Sequence, residues 1–312
     1  MPKVSICIPA YNQIEYLRRT IDSVILQSFT DYEIIITDDS ISDVVKDLVN
    51  EYDQIDKIKY FRNTKSLGSP ENWNESLRRS TGEYIKIMHH DDWFYDKNSL
   101  GKYVALLDEN PTTDFAFAAT LVASEKDKDY IHKLNQHQIF ELSNDPLLLF
   151  KNNIVGAPST IIFRRKEDLL FDKNMKWLVD LDFYIRILST NKNFEYSNDV
   201  LTVTFKAGGR VTEFCENNME IEIFEYFYLI NKLNKNPKLI RSKGFRRAIV
   251  KVINICKKYT INSIDEVRSS GYNDEIPKLI QFYLKINAFS KFLGRVYYKL
   301  INVISYNDKK RS

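Results

Sequence analysis

The sequence has few cysteines and no long apolar run. Cys7, Cys215 and Cys256 are far apart and form no CxxC pair, which argues against a disulfide scaffold or a cysteine-rich zinc site and suits a reducing compartment. No segment approaches the roughly 20 apolar residues that a membrane-spanning helix needs. The apolar patch near the N-terminus is too short for the core of a signal peptide. These absences predict a cytoplasmic protein.

Glycine-rich phosphate-binding loops are also missing. The chain has neither a GxGxxG nor a GxxxxGK pattern. These patterns are typical of dinucleotide-binding folds and of P-loop enzymes, so both classes of protein are disfavoured. A phosphorylated ligand would therefore have to be held mainly through a metal ion.

Charge is unevenly distributed along the 312 residues. The net charge is +3, but the segment from Lys238 onward holds 17 Lys and Arg residues against 5 Asp and Glu, and the rest of the chain carries −9. This basic segment indicates an anionic partner. Nucleic acid is not the expected partner, because no recognised nucleic-acid-binding module accompanies the segment.

The first 120 residues alternate between strand and helix patterns. In one predicted helix, SPENWNESLRRSTG, Ser69 is a candidate N-cap, Pro70 is the first helical residue and Gly82 ends the helix. Nearly continuous apolar strands that alternate with helices predict an α/β fold with a parallel sheet covered on both faces. The predicted strands are KVSICI, YEIIIT, KIKYF and EYIKIM.

The pattern changes after residue 120. STIIFRR and DVLTVTFK predict strands, residues 178–190 predict a helix, and ASEKDKDYIHKLNQHQ is interpreted as a polar insertion. Beyond about residue 216 the chain has helical patterns and no strong strand signal. We therefore divide it into an α/β domain, residues 1–215, and a basic helical region, residues 216–312.

Polar residues follow each predicted strand of the sheet. In an open parallel sheet, ligands bind beyond the carboxyl ends of the strands, so we expect these residues to converge at one edge. The clusters are Pro9-Ala10-Tyr11-Asn12, Asp38-Asp39-Ser40, Asn63-Thr64-Lys65 and His89-His90-Asp91-Asp92.

The cluster HHDD, residues 89–92, indicates a metal site of a particular kind. Adjacent histidines point to opposite faces of an extended segment, and zinc needs about three or four protein ligands, usually N or S, which argues against zinc. His89 and Asp91 share a face and could bind Mg²⁺ or Mn²⁺ if phosphates supplied the other ligands. The alternative is that Asp91 and Asp92 only cap the next turn.

Three segments between residues 3 and 212 carry a recognisable pattern: VSICIPAYNQIEYLRRTIDSVILQSFTDYEIIITDDS, NTKSLGSPENWNESLRRSTGEYIKIMHHDDW and MKWLVDLDFYIRI. They resemble the family 2 glycosyltransferases with the GT-A fold and occur in the family's order. The resemblance implies a nucleotide-binding sheet with helices on both faces, followed by the C-terminal helical region. It also implies an inverting enzyme that moves a sugar from a nucleotide-diphosphate donor to a glycan or lipid-linked glycan in surface polysaccharide synthesis. UDP is the commonest nucleotide in the family, with TDP and GDP as alternatives.

The resemblance also assigns the donor and metal sites. The family's DxD metal motif falls on His89-His90-Asp91, so His89 replaces the first aspartate and Asp91 is the main implied ligand of Mn²⁺ or Mg²⁺. The first strand end implies a nucleoside pocket, and the acidic pair after the second strand implies contacts to base and ribose. The implied donor-binding residues are Pro9, Ala10, Tyr11, Asn12, Asp38, Asp39, Asn63, His90, Asp91 and Arg210.

The resemblance places the catalytic base and the acceptor site in the later segments. Asp180, which precedes an aromatic-rich helix, is the implied base, and Asp182 is the second candidate. GAPSTIIFRR resembles the stretch that meets the acceptor, and KAGGRVTE, with Lys206 and Arg210, resembles the loop that closes over the donor. The implied acceptor-binding residues are Asp92, Trp177, Asp182 and Pro158.

Two other functions are compatible with parts of the sequence. A nucleotidyltransferase on a similar fold would need a glycine-rich basic loop after the first strand, and PAYNQIEYLRR at that place counts against this function. A nucleotide-sugar-binding protein with a degenerate metal site is favoured by His89 alone.

The C-terminal region has an amphipathic pattern. IPKLIQFYLKINAFSKFLGRVYYKLINVISY mixes apolar, aromatic and basic residues at helical spacing. The pattern predicts either peripheral contact with the inner membrane surface or a helix packed on the catalytic domain.

Overall fold

The computed structural model describes residues 1–206, 211–237 and 239–306. The chain folds into two compact units. The first comprises residues 1–139 and 154–210, and the second comprises residues 140–153 and 211–312. Segment 140–153 therefore packs with the C-terminal helices, although it lies far from them in sequence.

One nine-stranded sheet forms the centre of the first unit, and helices surround it. The order across the sheet is β3-β2-β1-β4-β8-β6-β9-β5, with β7 paired to β6. The strands are β1 Val4–Ala10, β2 Tyr32–Asp38, β3 Ile58–Arg62, β4 Tyr84–Ile87, β5 Trp93–Phe94, β6 Phe115–Ser124, β7 Tyr130–His132, β8 Ile161–Arg164 and β9 Phe194–Lys206. The helices are α1 Ile14–Ile25, α2 Val44–Asn50, α3 Glu71–Arg79, α4 Ser99–Asp108, α5 Gln136–Asn144, α6 Leu148–Lys151, α7 Val179–Thr190, α8 Val211–Cys215, α9 Met219–Asn234, α10 Lys243–Lys258, α11 Ile264–Ser269, α12 Lys278–Phe289 and α13 Lys291–Tyr306.

The first four strands are parallel, as the alternation of patterns predicts. β1 pairs in parallel with β2 and β4, and β2 pairs in parallel with β3. The other half of the sheet is mixed, because β8 is antiparallel to both β4 and β6, while β6 is parallel to β9. The carboxyl ends of β1 to β4 consequently share one edge of the sheet.

Helices cover both faces of the parallel half of the sheet. All seven residues of β1 are buried, and they alternate between the two faces. Ile6 and Ile8 pack in one core with Leu17 of α1, whereas Cys7 lies on the opposite face, where its thiol contacts the Ser76 carbonyl of α3 at 3.6 Å. This burial on both faces explains the nearly continuous apolar strands.

Helix α3 begins later than the sequence pattern predicts. Pro70 is its N-cap and Glu71 its first helical residue, so Ser69 is not the N-cap, and the helix ends at Arg79. Gly82 has a different role from the predicted helix end. A Cβ there would lie 2.5 Å from the Ser5 backbone nitrogen, so only glycine allows the chain entering β4 to approach β1 this closely.

The described elements of the second unit are all helices. Side chains cap three of them, since Asn218, Ser242 and Ser263 each accept a hydrogen bond from a backbone N–H at the start of α9, α10 and α11. The buried carboxylate of Glu222 accepts two hydrogen bonds, of 2.8 and 2.9 Å, from Lys258. None of the helices in the described ranges is both long enough and apolar enough to cross a bilayer.

Glu33 connects three strands at the edge of the sheet opposite the β1–β4 carboxyl ends. Its side chain, only 5% exposed, accepts hydrogen bonds from Lys59 at 2.6 Å, from the Ser5 hydroxyl at 2.6 Å and from the Thr81 backbone at 2.8 Å. Burial alone would raise the pKa of Glu33, but these hydrogen bonds outweigh burial and bring the pKa down to about 2. The charged form is therefore stabilised by folding.

Replacing Glu33 with glutamine is expected to lower the free energy of unfolding by about 2–3 kcal/mol at pH 7. Because the folded-state pKa lies below the usual 4.5, the difference from wild type should be lost as pH falls from about 4.5 to about 2. Urea unfolding followed by tryptophan fluorescence measures this, since all three tryptophans lie in the first unit. Glu51→Gln, at an exposed ion pair with Arg18, is the control and should lower the free energy of unfolding much less than Glu33→Gln does, because solvent screens exposed ion pairs. An equal cost for both variants, or a pH-independent difference, would contradict the assignment.

Candidate active site

The four polar clusters of the sequence meet at the carboxyl edge of β1 to β4. Backbone hydrogen bonds join the strand ends directly: Asp39 donates to the Ala10 carbonyl at 3.0 Å, and Asn63 donates to the Asp38 carbonyl at 2.9 Å. Met88, just before HHDD, donates to the Cys7 carbonyl at 2.9 Å. The predicted convergence is therefore present in the fold.

The turn after β1 opens a cavity at this edge. Pro9 and Ala10 are buried, whereas Tyr11 is 49% exposed. Asn12 and Gln13 both have left-handed backbones, with φ values of 51° and 43°, and the Asn12 N–H donates to the Ser40 hydroxyl at 2.8 Å. The turn borders an open cavity of about 570 Å³, lined by Asn12, Gln13, Ile14, Glu15, Tyr16, Ser42 and Val44.

Asp38 is fully buried and both of its carboxylate oxygens have protein partners. One oxygen accepts a hydrogen bond from the Ser40 backbone at 2.8 Å, and the other accepts one from the Tyr60 hydroxyl at 2.7 Å. The carboxylate thus fixes the turn after β2 and ties it to β3. Contact between Asp38 and a ligand stays a prediction.

Asp39 anchors the loop that follows β3. Its carboxylate accepts hydrogen bonds from the backbones of Leu67 and Gly68, at 2.7 and 2.8 Å, and from the side chains of Asn63 and Ser66, at 3.0 and 2.8 Å. Burial raises the pKa of Asp39, but these four donors bring it below its usual range. A carboxylate offers about four lone-pair sites, so a ligand that bonds Asp39 would have to displace a side-chain donor.

His89, Asp91 and Asp92 form a group of potential metal ligands. One donor atom from each lies within 4.8 Å of the other two. The Nε2 atom of His89 is buried and has no hydrogen-bond partner in the described part of the chain. Burial lowers the pKa of His89 to about 4, with Asp91 opposing the shift, so the imidazole is neutral at pH 7. One nitrogen and two carboxylates fit a divalent ion that takes further oxygen ligands from a phosphate.

Asp92 is the buried member of this group, and it bonds the end of β9. It is 4% exposed, and its Oδ1 accepts a hydrogen bond from the Phe205 backbone at 2.8 Å. Burial and the neighbouring Asp91 raise its pKa. Asp92 therefore exposes little surface with which an acceptor could make the predicted contact.

Lys86 is a site residue that the sequence analysis does not single out. It lies on β4, is fully buried, and donates to the carbonyl oxygens of Ile87, at 3.1 Å, and Ser159. Burial lowers its pKa to about 7, an effect that Asp92 opposes. The sequence does contain a signal for Lys86: it is a charged residue inside EYIKIM, a strand predicted to be buried on both faces, and buried charges need partners.

The turn Pro158–Thr160 is fixed to the loop His89–Asp92, which carries the potential metal ligands and is called the metal loop below. The Ser159 hydroxyl accepts a hydrogen bond from the His89 backbone at 2.9 Å and also bonds Asp92. Tyr103 donates to the Thr160 carbonyl at 3.1 Å. Pro158, a predicted acceptor residue, is buried in this 3-10 turn, so the predicted acceptor segment lies directly beside HHDD.

Asp180 lies in the first turn of α7 and is half-buried. Burial raises the pKa of Tyr184, one turn later, well above the usual value, and the nearby Asp180 adds to this rise. The Tyr184 hydroxyl donates to the Gly156 carbonyl at 3.2 Å. The residue predicted as base is therefore close to the segment predicted to meet the acceptor.

A row of aromatic rings connects α7 with the metal loop. The Trp73 ring lies 4.6 Å from His89 and 5.1 Å from Phe171, measured between centroids. Phe171 stacks on Phe183 of α7 at 4.2 Å. These contacts fix the helix that carries Asp180 relative to His89.

Asp182, the second candidate base, is engaged elsewhere. It is 2% exposed and its Oδ2 accepts a hydrogen bond from Arg186 Nε at 2.8 Å. This salt bridge gives the Asp182 carboxylate a structural role. Contact between Asp182 and the acceptor stays a prediction.

Three predicted residues remain: His90, Trp177 and Arg210. His90 Nε2 bonds Gln13 Oε1 at 2.8 Å and so ties the metal loop to the turn after β1. Trp177 is half-buried just before α7. Arg210 lies outside the described residues, and Lys206, the last residue described before it, lies 5.0 Å from the Tyr130 ring centroid.

Two relatives with named activities match parts of the chain. TuaG of Bacillus subtilis, named for teichuronic acid biosynthesis, is 29% identical over 189 residues, 60% of this chain and 72% of its own length. The GalNAc(5)-diNAcBac-PP-undecaprenol beta-1,3-glucosyltransferase of Campylobacter jejuni is 38% identical over 94 residues, 30% of each chain. Both relatives are glycosyltransferases by name.

Solved structures of low sequence identity share the fold of nearly the whole chain. S. aureus TarS 1-349 in complex with UDP-GlcNAc matches with a TM-score of 0.60 at 15% identity, over 99% of this chain and 92% of that one. Mannosyltransferase PcManGT from Pyrobaculum calidifontis, in complex with GDP-Man and Mn²⁺, matches with a TM-score of 0.58 at 13% identity, over 99% and 88%. The predicted α/β architecture with C-terminal helices is thereby confirmed.

The sequence model described as Glycosyl transferase family 2 matches residues 5–170. This range is more than half of the chain and contains β1 to β8, including the strand ends that form the carboxyl edge and the HHDD loop. The chain belongs to the family 2 glycosyltransferases and has their GT-A fold.

Proposed function

We propose that this glycosyltransferase is an inverting enzyme that moves a hexosyl or hexosaminyl group from a UDP-sugar to a glycan or lipid-linked glycan in surface polysaccharide synthesis. The observation that carries the proposal is the His89–Asp91–Asp92 group, which lies at the carboxyl edge of the sheet. TarS with bound UDP-GlcNAc supports the donor class. The names of TuaG and of the Campylobacter enzyme support the acceptor class.

The donor nucleoside would bind in the open cavity beside the turn after β1. Tyr11 offers an exposed ring there, and the left-handed backbone of Asn12 leaves its side chain half-exposed. The ionised Asp39 holds the loop after β3 at the same edge. We propose that Asn63 leaves Asp39 when the ribose binds, because both side chains of this pair are predicted donor contacts. Donor and acceptor would both bind within residues 1–215.

The donor diphosphate would lie against the metal loop. His89 and Asp91 would hold a Mn²⁺ or Mg²⁺ ion, with the buried Asp92 behind them and His90 near the donor. The bound ion would supply Lewis-acid stabilisation of the departing diphosphate. Mn²⁺ is present in PcManGT, which supports this choice of metal.

Asp180 would act as the general base. Its carboxylate would accept the proton of an acceptor hydroxyl while that oxygen attacks the anomeric carbon, and the nucleoside diphosphate would leave from the opposite face. A single displacement of this kind inverts the configuration, so an α-linked donor sugar would give a β-linked product. The position of Asp180 near Gly156 and the turn Pro158–Thr160 supports an acceptor at this end of the site.

A nucleotide-sugar-binding protein without catalysis is the alternative. His89 in place of an aspartate is the observation that favours it, because a neutral imidazole contributes no charge to the binding of a divalent ion. The two possibilities differ in a measurable way, since a binding protein would hold UDP-sugars without releasing UDP.

Calorimetric titration with UDP, TDP and GDP, each with Mn²⁺ and with EDTA, tests the donor site. We expect UDP to bind in Mn²⁺ and its affinity to fall by at least about tenfold in EDTA, because the ion bridges protein and diphosphate. UDP release from UDP-sugars, measured in parallel, separates enzyme from binding protein. Failure of all three nucleotides to bind in either condition would overturn the donor-site assignment.

A lipid-linked acceptor would bring the enzyme to the inner surface of a membrane. The C-terminal region, residues 216–312, is the predicted contact, and its net positive charge suits an anionic surface. We propose a peripheral location there.

A further inference from the structure

Helices α12 and α13 pack against each other and leave a row of large apolar side chains uncovered. The Tyr297 ring meets Phe282 edge-on at 4.9 Å, and a Cβ at Gly294 would lie 3.0 Å from the Asn287 Cα, so the two helices approach closely. In the described part of the two helices, eight large apolar side chains are exposed by 40% or more: Leu279, Phe282, Phe289, Phe292, Leu293, Val296, Leu300 and Val303.

The exposed residues of α13 form one face of the helix. Phe292, Val296, Leu300 and Val303 are spaced by four, four and three residues, which places them in a single row. Phe292 is 71% exposed and Leu300 is 56% exposed. Such a row on a packed helix is unusual in a surface that contacts only water.

Basic residues flank this apolar row, and neither α12 nor α13 contains an acidic residue. Residues 278–306 contain five Lys or Arg residues and no Asp or Glu. Lys291, Arg295 and Lys299 are exposed, four residues apart, and form a second row beside the apolar one. No ion pair joins them to any other residue in the described ranges.

We propose that this surface, called the α13 face, docks on the anionic headgroup region of a phospholipid membrane. Apolar side chains enter the boundary between headgroups and acyl chains, while the lysine and arginine heads reach the lipid phosphates. Charge complementarity favours this partner over a second copy of the chain. A symmetric pairing of α13 faces would place the basic rows against each other, and like charges oppose such pairing.

The biological role of this docking rests on the proposed function, because a lipid-linked acceptor would lie in the same membrane. The docking itself needs neither donor nor acceptor. Co-sedimentation of the full chain with vesicles tests it directly. Vesicles of phosphatidylcholine alone are compared with vesicles of equal parts phosphatidylcholine and phosphatidylglycerol, at low and high NaCl. We expect binding to the anionic vesicles only, weakened by salt.

The variant K291Q/R295Q/K299Q should bind anionic vesicles about 100-fold more weakly, at about fivefold per basic residue. The variant F292S/V296S/L300S should lose at least about tenfold. The matched control K46Q/K97Q/K126Q removes three exposed lysines of the first unit and should bind within about threefold of wild type. Circular dichroism and UDP titration of each variant verify that it is folded.

Three results would overturn the docking proposal. The first is that wild type does not bind anionic vesicles, and the second is that the first-unit control loses as much vesicle affinity as K291Q/R295Q/K299Q. The third is that F292S/V296S/L300S converts an oligomer into a monomer and leaves vesicle binding unchanged. The last result would make the α13 face an interface between copies. Because UDP binding is measured separately, absence of UDP binding would contradict the proposed function and leave the vesicle result standing.

Discussion

Replacing Asp180 with asparagine is expected to lower kcat for sugar transfer by about 10²–10⁴-fold, the usual range for loss of a general base. The amide has nearly the same shape but accepts no proton at neutral pH. Donor binding should be retained, because the predicted donor contacts lie at the strand ends and in the metal loop. UDP release gives kcat, and calorimetry with UDP and Mn²⁺ gives the affinity.

Two aspartates provide controls for this experiment. Asp168→Asn makes the same change at an exposed position of the first unit and should leave kcat within about twofold. Asp182→Asn breaks the buried pair with Arg186 and should act mainly on the free energy of unfolding. If Asp182→Asn abolished turnover while Asp180→Asn kept it, the base would be Asp182 and the proposed assignment would be wrong.

The parallel half of the sheet could be predicted because its signals are local. β1 to β4 are apolar runs separated by helical patterns, and parallel strands necessarily place their carboxyl ends at one edge. The convergence of the polar clusters follows from that geometry alone. The edge at which these clusters meet is therefore predictable from the sequence without any knowledge of side-chain contacts.

The other half of the sheet depends on pairings that the sequence does not express locally. β6, FAFAATLVAS, has alanines where a clear alternation would need contrasting residues, and β5 has two residues. The same applies to segment 140–153, whose packing with the C-terminal helices joins parts of the chain far apart in sequence. Such contacts are decided by tertiary packing, which overrides local propensity.

The hydrogen-bond partners of individual site residues could not be predicted from the sequence either. The resemblance gave Asp38 and Asp39 as ligand contacts, but the fold surrounds both with protein donors. It gave Asp92 as an acceptor contact, but Asp92 is buried against the end of β9. A motif specifies which residue types are needed, whereas burial and hydrogen bonding depend on neighbours that arrive from distant strands.

Replacing Asp91 with asparagine is expected to lower UDP affinity in Mn²⁺ to the value measured in EDTA and to reduce kcat/KM by at least about 100-fold. No hydrogen bond to the Asp91 carboxylate occurs within the described residues, so the change would remove the proposed metal ligand without breaking a hydrogen bond. His89→Asn should have a smaller effect, about tenfold, because a neutral ligand contributes less than a carboxylate to binding a divalent ion. Asp127→Asn, exposed and far along the chain, controls for loss of one charge and should bind UDP as wild type does. If UDP affinity in Asp91→Asn still depended on Mn²⁺ as strongly as in wild type, the ion would have to bind elsewhere, and the HHDD loop would be a structural turn rather than the metal site.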